Sequence, residues 1–367
     1  MYYKQIDGLR FIAVLMVIFH HIFPFFTTFN IDFGFFGVNL FFVISGFLIT
    51  EILLMQSLSN NSLLKILKIF FLRRAIRIFP LYFLYIFICY LIVPNETLYL
   101  FNWLLTYSIN CWIFIHNKLS FWFFTHLWSL SVEEQFYLIW PFIVLLLPLK
   151  LFKKSILIII LLSIIFRIYS YFFMANHELF NHVMLPATFD CFGLGALLAY
   201  LKNFEKERFN QLFKSKYIIV LLLLLIFLIV GLKIDLLTET LNRFLNAILS
   251  FFIIGKIISN QIGKFFNRFL SLNVIRYFGQ ISYGLYVYHL LVWGTLGKFF
   301  DQVWFYVFQN KEQTLTKSFF DFIFVLCLTI LISILSYELF EKQLLKLKKY
   351  IKYKEKNTPE TKKCSSI

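Results

Sequence analysis

An all-α, polytopic membrane fold of about ten transmembrane helices is predicted, and three observations carry it. Mean hydropathy is +0.78, and 60% of the residues are hydrophobic against 15% charged. A soluble chain of 367 residues has too little interior to hide that much apolar surface. The apolar residues also fall in runs long enough to cross a bilayer, and the basic residues gather in alternate connections between those runs. The net charge of +16 then follows from this bias and a polybasic end (KQLLKLKKYIKYKEK) suited to anionic lipid. Nothing resembles a folded nucleic-acid reader, so no nucleic-acid partner is expected. Cys89, Cys111, Cys191, Cys327 and Cys364 lack the spacing of a zinc site or a disulfide framework, and no metal is expected.

Taken in order, the crossing runs fall near 9–28, 34–55, 78–95, 134–149, 155–174, 186–201, 217–232, 244–260, 278–297 and 318–340. The first is too long for a signal-peptide core and ends in FPFFTTFN without a small-x-small cleavage site, so it reads as a retained span. Run 98–115 is interrupted by Asn102 and Asn110. Without it as a crossing, only Lys118, Lys233, Arg243, Lys298, Lys311 and Lys317 fall outside, with Arg167 inside a span. With it, the basic KLFKK turn and the tail would move outside. The positive-inside rule therefore makes 98–115 interfacial or re-entrant and both termini cytoplasmic. Residues 1–345 form one membrane domain, and 346–367 a basic, disordered cytoplasmic tail.

Ionisable groups at membrane depth are costly and default to functional hypotheses. Arg10 and His21 lie on nearly one face of the first span, roughly 16 Å apart along its axis, with His20 beside the latter. Asn39 falls near the outer end of span two and Ser45 near its middle, while Gly34, Gly37 and Gly46 permit close helix approach. Arg73, Arg74 and Arg77 precede span three. They read either as juxtamembrane anchors or as a clamp for a phosphate-rich cytosolic ligand, whose oxygens match guanidinium forks. His126, Glu133, Glu134 and Tyr137 sit at or just below the outer surface. Arg167 lies in the outer half of span five, and Asp190 opens span six. His289 is roughly 18 Å up span nine, close to the depth of His21. Glu338 and Lys342 are four apart and read as a simple pair, with Glu341 also structural.

These pieces together resemble the acyltransferase-3 family of integral membrane acyltransferases. Arg10 and His21 fit its basic-x10-His pattern. GFFGVNLFFVISGFLI fits the second-span motif, with Asn39 where an aspartate is common. RRAIRIFPLY fits the arginine motif, HLWSLSVEEQFYLIWP the most recognisable block, and FGQISYGLYVYH and SYELFE the two late motifs. PATFDCFGLGALLA departs, with Thr188 where relatives often carry arginine.

The resemblance implies an O-acyltransferase of the bacterial inner membrane, in a stand-alone form without an SGNH domain. It would move an acyl group, most often acetyl, from cytosolic acyl-CoA (acetyl-CoA) to a hydroxyl of a lipid-linked or surface polysaccharide. His21 is expected as general base, Glu133 or Glu134 as its orienter or sugar ligand, and His289 as second proton carrier or pocket wall. Arg10, Arg73, Arg74 and Arg77 are expected to hold the CoA. Asn39, His126, Ser131, Tyr137, Arg167 and Asp190 are expected around the acceptor. Membrane lipids are the other partners, and a homo-oligomer is left open. A covalent acyl intermediate on His21, Ser45 or Ser131 is not selected for or against. The alternative class is a glycolipid or saccharide transporter or flippase, which ten spans with buried charges would suit; no half-to-half repeat favours it.

Overall fold

The computed structural model describes residues 2–23, 32–59, 61–308 and 315–353. It is helical, with no strand among the described residues. In order the helices are α1 (Lys4–Ile22), α2 (Phe33–Ser57), α3 (Leu63–Ile92), α4 (Pro94–Leu105), α5 (Ile109–His116), α6 (Leu127–Leu146), α7 (Leu149–Phe173), α8 (His177–Val183) and α9 (Phe189–Phe204). There follow α10 (Lys206–Leu212), α11 (Ile218–Leu232), α12 (Asp235–Ile258), α13 (Lys264–Leu270), α14 (Asn273–Gln280), α15 (Ser282–Phe308), α16 (Leu315–Ser336) and α17 (Lys342–Leu345).

Where ten crossings were predicted, seven helices among the described residues are long and apolar enough to cross a membrane. The number rises to nine if each of two bent pairs counts as one span. The interrupted run 98–115 is one of these pairs, α4 and α5 meeting at 113°. Tyr107 at the corner takes a left-handed φ of 51°, and the buried Asn110 side chain is held by Gln135 and the Val183 carbonyl. An asparagine that breaks an apolar run is thus a corner brace. Run 217–232 becomes α11, about 22 Å long at 1.5 Å per residue and short of a typical hydrocarbon core.

Several helices start before their predicted spans, α3 and α12 by the most. α3 begins at Leu63 rather than 78, and α12 at Asp235 rather than 244. Hydropathy stops at a charged residue, but the backbone continues helical wherever that side chain finds an interior partner. The arginines of α3 and Arg243 of α12 are therefore inside helices, not in connecting loops.

The centre is built by α1, α2, α6, α9 and α15. α2 and α9 meet through glycines: a Cβ on Gly46 would strike the Phe192 backbone, and one on Gly195 the Val43 carbonyl. This contact lets polar side chains of α2 face the interior at fixed depth. After α16 the helix widens to a π turn over Tyr337–Glu341, then passes through α17 to a 3-10 turn at Lys346–Lys349. The basic segment predicted as tail is thus folded against α3 as far as Tyr353, whose ring meets Arg73. Residues 354–367, including Cys364, lie outside the described residues.

Candidate active site

Arg10 lies six residues into α1, and Arg74 and Arg77 more than two turns into α3. Their side chains reach the same interior space. A cavity of about 340 Å³ is bounded by Arg10, Arg74, Arg77, Ser45, Tyr137 and Glu341, among others. A smaller one of about 30 Å³ leads inward between these arginines and Glu133, Glu134 and Tyr283. Glu133 accepts hydrogen bonds from the hydroxyls of Ser45 and Tyr137, and Arg74 lies 5.2 Å over the Tyr137 ring. One oxygen of Glu134 is buried without a protein partner. Glu133, Glu134 and Tyr137, predicted near the outer surface, therefore stand opposite the arginines predicted at the other face. The correction has a geometric cause. The HLWSLSVEEQFYL block is helical from Leu127, so Glu133 is already about 9 Å along the axis and level with the middle of α2.

The line continues upward. A third space, about 40 Å³, touches Arg10 and Glu133 below and Phe41, Ser129, Tyr283 and Tyr286 above. Tyr283 is fixed by donating to the Ile78 carbonyl at 3.0 Å. Tyr286 donates to the His126 carbonyl at 2.8 Å and also meets Ser129. Tyr283, Tyr286 and His289 recur every three residues and so share one face of α15.

At the top of that face His289 Nε2 is 3.1 Å from His21 Nδ1. His289 is fully buried and His21 partly open. The proton positions follow from the partners. His289 Nδ1 faces the Tyr286 carbonyl at 2.6 Å, and a carbonyl only accepts, so Nδ1 carries the hydrogen. His289 Nε2 is then the acceptor, His21 Nδ1 donates to it, and His21 Nε2 keeps a free lone pair. His126 is buried beside this pair, its ring 5.1 Å from that of His289, and its Nε2 donates to the Val287 carbonyl at 3.2 Å. It is the N-cap residue of α6 and is buried.

Arg167 and Asp190, expected around the acceptor, are brought together with each other. Arg167 Nη2 meets Asp190 Oδ2 at 2.6 Å with both side chains fully buried, and the guanidinium also donates to the carbonyls of Thr240 and Ala187. Asn39 is likewise buried, accepting from Arg243 at 3.2 Å. Ser131 donates to the Leu127 carbonyl within its own helix at 3.2 Å. Asn39, Ser131, Arg167 and Asp190 thus stand apart from the cavity line. Sequence reasoning missed Tyr283, Tyr286 and Ser129, although the three-residue spacing on α15 was visible. It also counted Arg243 outside the membrane, and it read Glu341, which lines the mouth cavity, as structural. The expected Glu338–Lys342 pair is present at 2.6 Å.

The model of the acyltransferase-3 family, described as an acyltransferase domain, matches residues 3–338. Among curated proteins, the peptidoglycan O-acetyltransferase OatA of Listeria monocytogenes is 38% identical over 160 residues, 38% of this chain and 24% of the relative. The putative peptidoglycan O-acetyltransferase YrhL of Bacillus subtilis is 39% identical over 155 residues, 38% of this chain and 23% of the relative. A putative O-acetyltransferase of Staphylococcus aureus strain COL is 35% identical over 169 residues, 42% of this chain and 26% of the relative. The matched segment spans about a quarter of the length of these relatives. No solved structure matches the chain.

Proposed function

Because the chain belongs to the acyltransferase-3 family, we propose that it is a bacterial inner-membrane O-acetyltransferase that takes acetyl from cytosolic acetyl-CoA and delivers it to a hydroxyl of a cell-envelope glycan. The observation that carries this reading is the His21–His289 contact, one turn along α15 from Tyr286, where the line of cavities that opens among arginines ends. The relatives named for peptidoglycan make that polymer the first acceptor to assay.

In this reading the arginines meet the phosphates of the donor, and its thioester arm follows the line past Tyr283 and Tyr286 to His21. The Arg10–His21 separation of roughly 16 Å is the depth that arm must cover. His21 Nε2 removes the proton of the acceptor hydroxyl as its oxygen attacks the acetyl carbonyl carbon. The new C–O bond gives a tetrahedral oxyanion, and its collapse breaks the C–S bond. The thiolate then takes the proton from His21, so the ester and free CoA thiol leave and the imidazole is neutral again. His289, itself held by the Tyr286 carbonyl, accepts from His21 Nδ1–H and supports the imidazolium while it exists. Glu133, fixed by Ser45 and Tyr137, lies lower on the line, beside Arg10, and serves donor placement rather than proton abstraction.

The test is release of free thiol by the purified protein in liposomes given acetyl-CoA and peptidoglycan. His21→Ala is expected to lower kcat by about 10²–10⁴, the usual contribution of a positioned base, with the unfolding midpoint unchanged. Wild-type turnover in that variant rejects His21 as base. Absence of thiol release from the wild type rejects the donor.

A further inference from the structure

Five cations converge at the mouth of the cavity line: Arg10, Arg73, Arg74, Arg77 and Lys348. None of the five makes an ion pair among the described residues, and the buried Nε atoms of Arg10 and Arg73 have no hydrogen-bond partner. Asp7 and Glu341 share the wall and Glu133 and Glu134 stand farther in, but Asp7 accepts from Tyr2, Glu341 from Ser336 and Glu133 from Ser45 and Tyr137, and none of the four makes an ion pair with these cations. Packed like charges repel, so so many cations without paired carboxylates mark a place for a polyanion.

The mouth has two chambers. The larger carries Arg10 and leads inward. The second, about 270 Å³, is bounded by Arg73, Arg74, Arg77, Lys348, Phe70 and Tyr353. It does not reach Arg10 or the carboxylates, so it lies off the line to His21. Its outer wall comes from the segment after α16. The π turn at Tyr337–Glu341 shifts the register of that segment. The 3-10 turn then carries Lys348 over the arginines, and Tyr353 sets its ring 5.7 Å from the Arg73 guanidinium.

We propose that residues 342–353 form a strap that completes a binding site for the phosphorylated nucleotide end of the acyl donor, with Lys348 as an added phosphate ligand and Tyr353 as an aromatic wall. This rests on the donor assignment above and adds to it a specificity element: the strap reads the nucleotide, while the inner line reads the thioester arm. The chemistry it recognises is a phosphate cluster, which an anionic lipid headgroup also presents.

The experiment compares acetyl-CoA with S-acetylpantetheine, which lacks phosphates and base, in phosphatidylcholine vesicles with and without phosphatidylglycerol. Lys348→Glu is expected to raise KM for acetyl-CoA by about tenfold or more, corresponding to about 1.4 kcal/mol, and to leave kcat and the KM for S-acetylpantetheine unchanged. Tyr353→Ala is expected to do the same more weakly, and Tyr353→Phe to behave as wild type. An unchanged KM for acetyl-CoA in Lys348→Glu overturns the strap. So does an equal rise for both donors, which assigns the segment to the fold. A change confined to phosphatidylglycerol vesicles overturns it in favour of a lipid headgroup. Normal thiol release with an indifferent Lys348→Glu removes only the strap, whereas no thiol release from the wild type removes the donor assignment and the strap together.

Discussion

Arg167 and Arg243 are as deeply buried as any cation among the described residues, yet they bond to oxygens of the fold, whereas Arg10, Arg73, Arg74 and Arg77 face one another across open space. Arg167 meets Asp190, Thr240 and Ala187, and Arg243, although its Nε has no partner, meets Asn39 and the carbonyls of Asn181 and His182 through its two terminal nitrogens. These bonds tie α7, α9, α12, α2 and α8 together. At the mouth Arg73 and Arg74 lie against rings, and none of the four arginines makes an ion pair among the described residues. Both groups are costly to bury. One is compensated by the fold itself, while the other has no ion-pair partner among the described residues. The lesson is that an arginine within a membrane domain declares its role by its partners, not its depth.

The comparison breaks most visibly at Arg167. Replacing it by alanine strands Asp190 in a dry interior, a change that costs about 3–5 kcal/mol for a buried pair. The expected result is a much lower unfolding midpoint in detergent and poor recovery of protein, with turnover per folded molecule near wild type. If Arg167→Ala folds normally and loses acceptor affinity instead, the pair belongs to the site and the contrast collapses.

At the mouth the signs reverse. Arg73→Ala with Arg77→Ala removes mutual repulsion and no ion pair, so the unfolding midpoint is expected to hold or rise. Donor KM is expected to increase by about tenfold or more, since hydrogen bonds to charged groups contribute about 1.5–3 kcal/mol each. Donor and acceptor titrations on the same preparation decide it. A rise in acceptor KM alone moves the donor elsewhere.

The same contrast explains what was legible in the sequence. His21 and His289 were placed at one depth by counting residues along two helices, and the contact at 3.1 Å agrees with that count. The helical register of Arg73 and Arg77 was readable too. What failed was the assumption that charge marks the end of a span. α3 runs 30 residues from Leu63 because Ile66, Leu67, Ile69 and Phe70 bury one side while the arginines turn to an internal cavity. Arg243 was assigned outside for the same reason. Its partners come from residues 39, 181 and 182, and no local pattern reveals so distant a set. Placing Glu133 opposite Arg74 likewise required knowing how far α6 slides along α2, which is set by side chains such as Trp140 donating to Thr50 at 2.7 Å.

Tyr137 lies at the border between the two kinds of site. Its hydroxyl is satisfied within the protein, by Glu133 and by Ser45 at 3.2 Å, as in the compensated cluster, yet its ring lies under Arg74 at the cavity wall. Tyr137→Phe keeps the ring and removes the donor to Glu133, a net change of about 1 kcal/mol for one hydrogen bond. If Glu133 is held in place for the donor arm, the variant is expected to lose about fivefold in kcat/KM for acetyl-CoA with little change in unfolding midpoint. If the bond is only scaffolding, the midpoint falls and kcat/KM per folded enzyme stays constant. Measuring both on Tyr137→Phe and on Ser45→Ala, which removes the other donor to the same carboxylate, assigns Glu133 to one kind of site or the other. Matching kcat/KM losses in the two variants place it with the mouth arginines, and matching midpoint losses place it with Asp190.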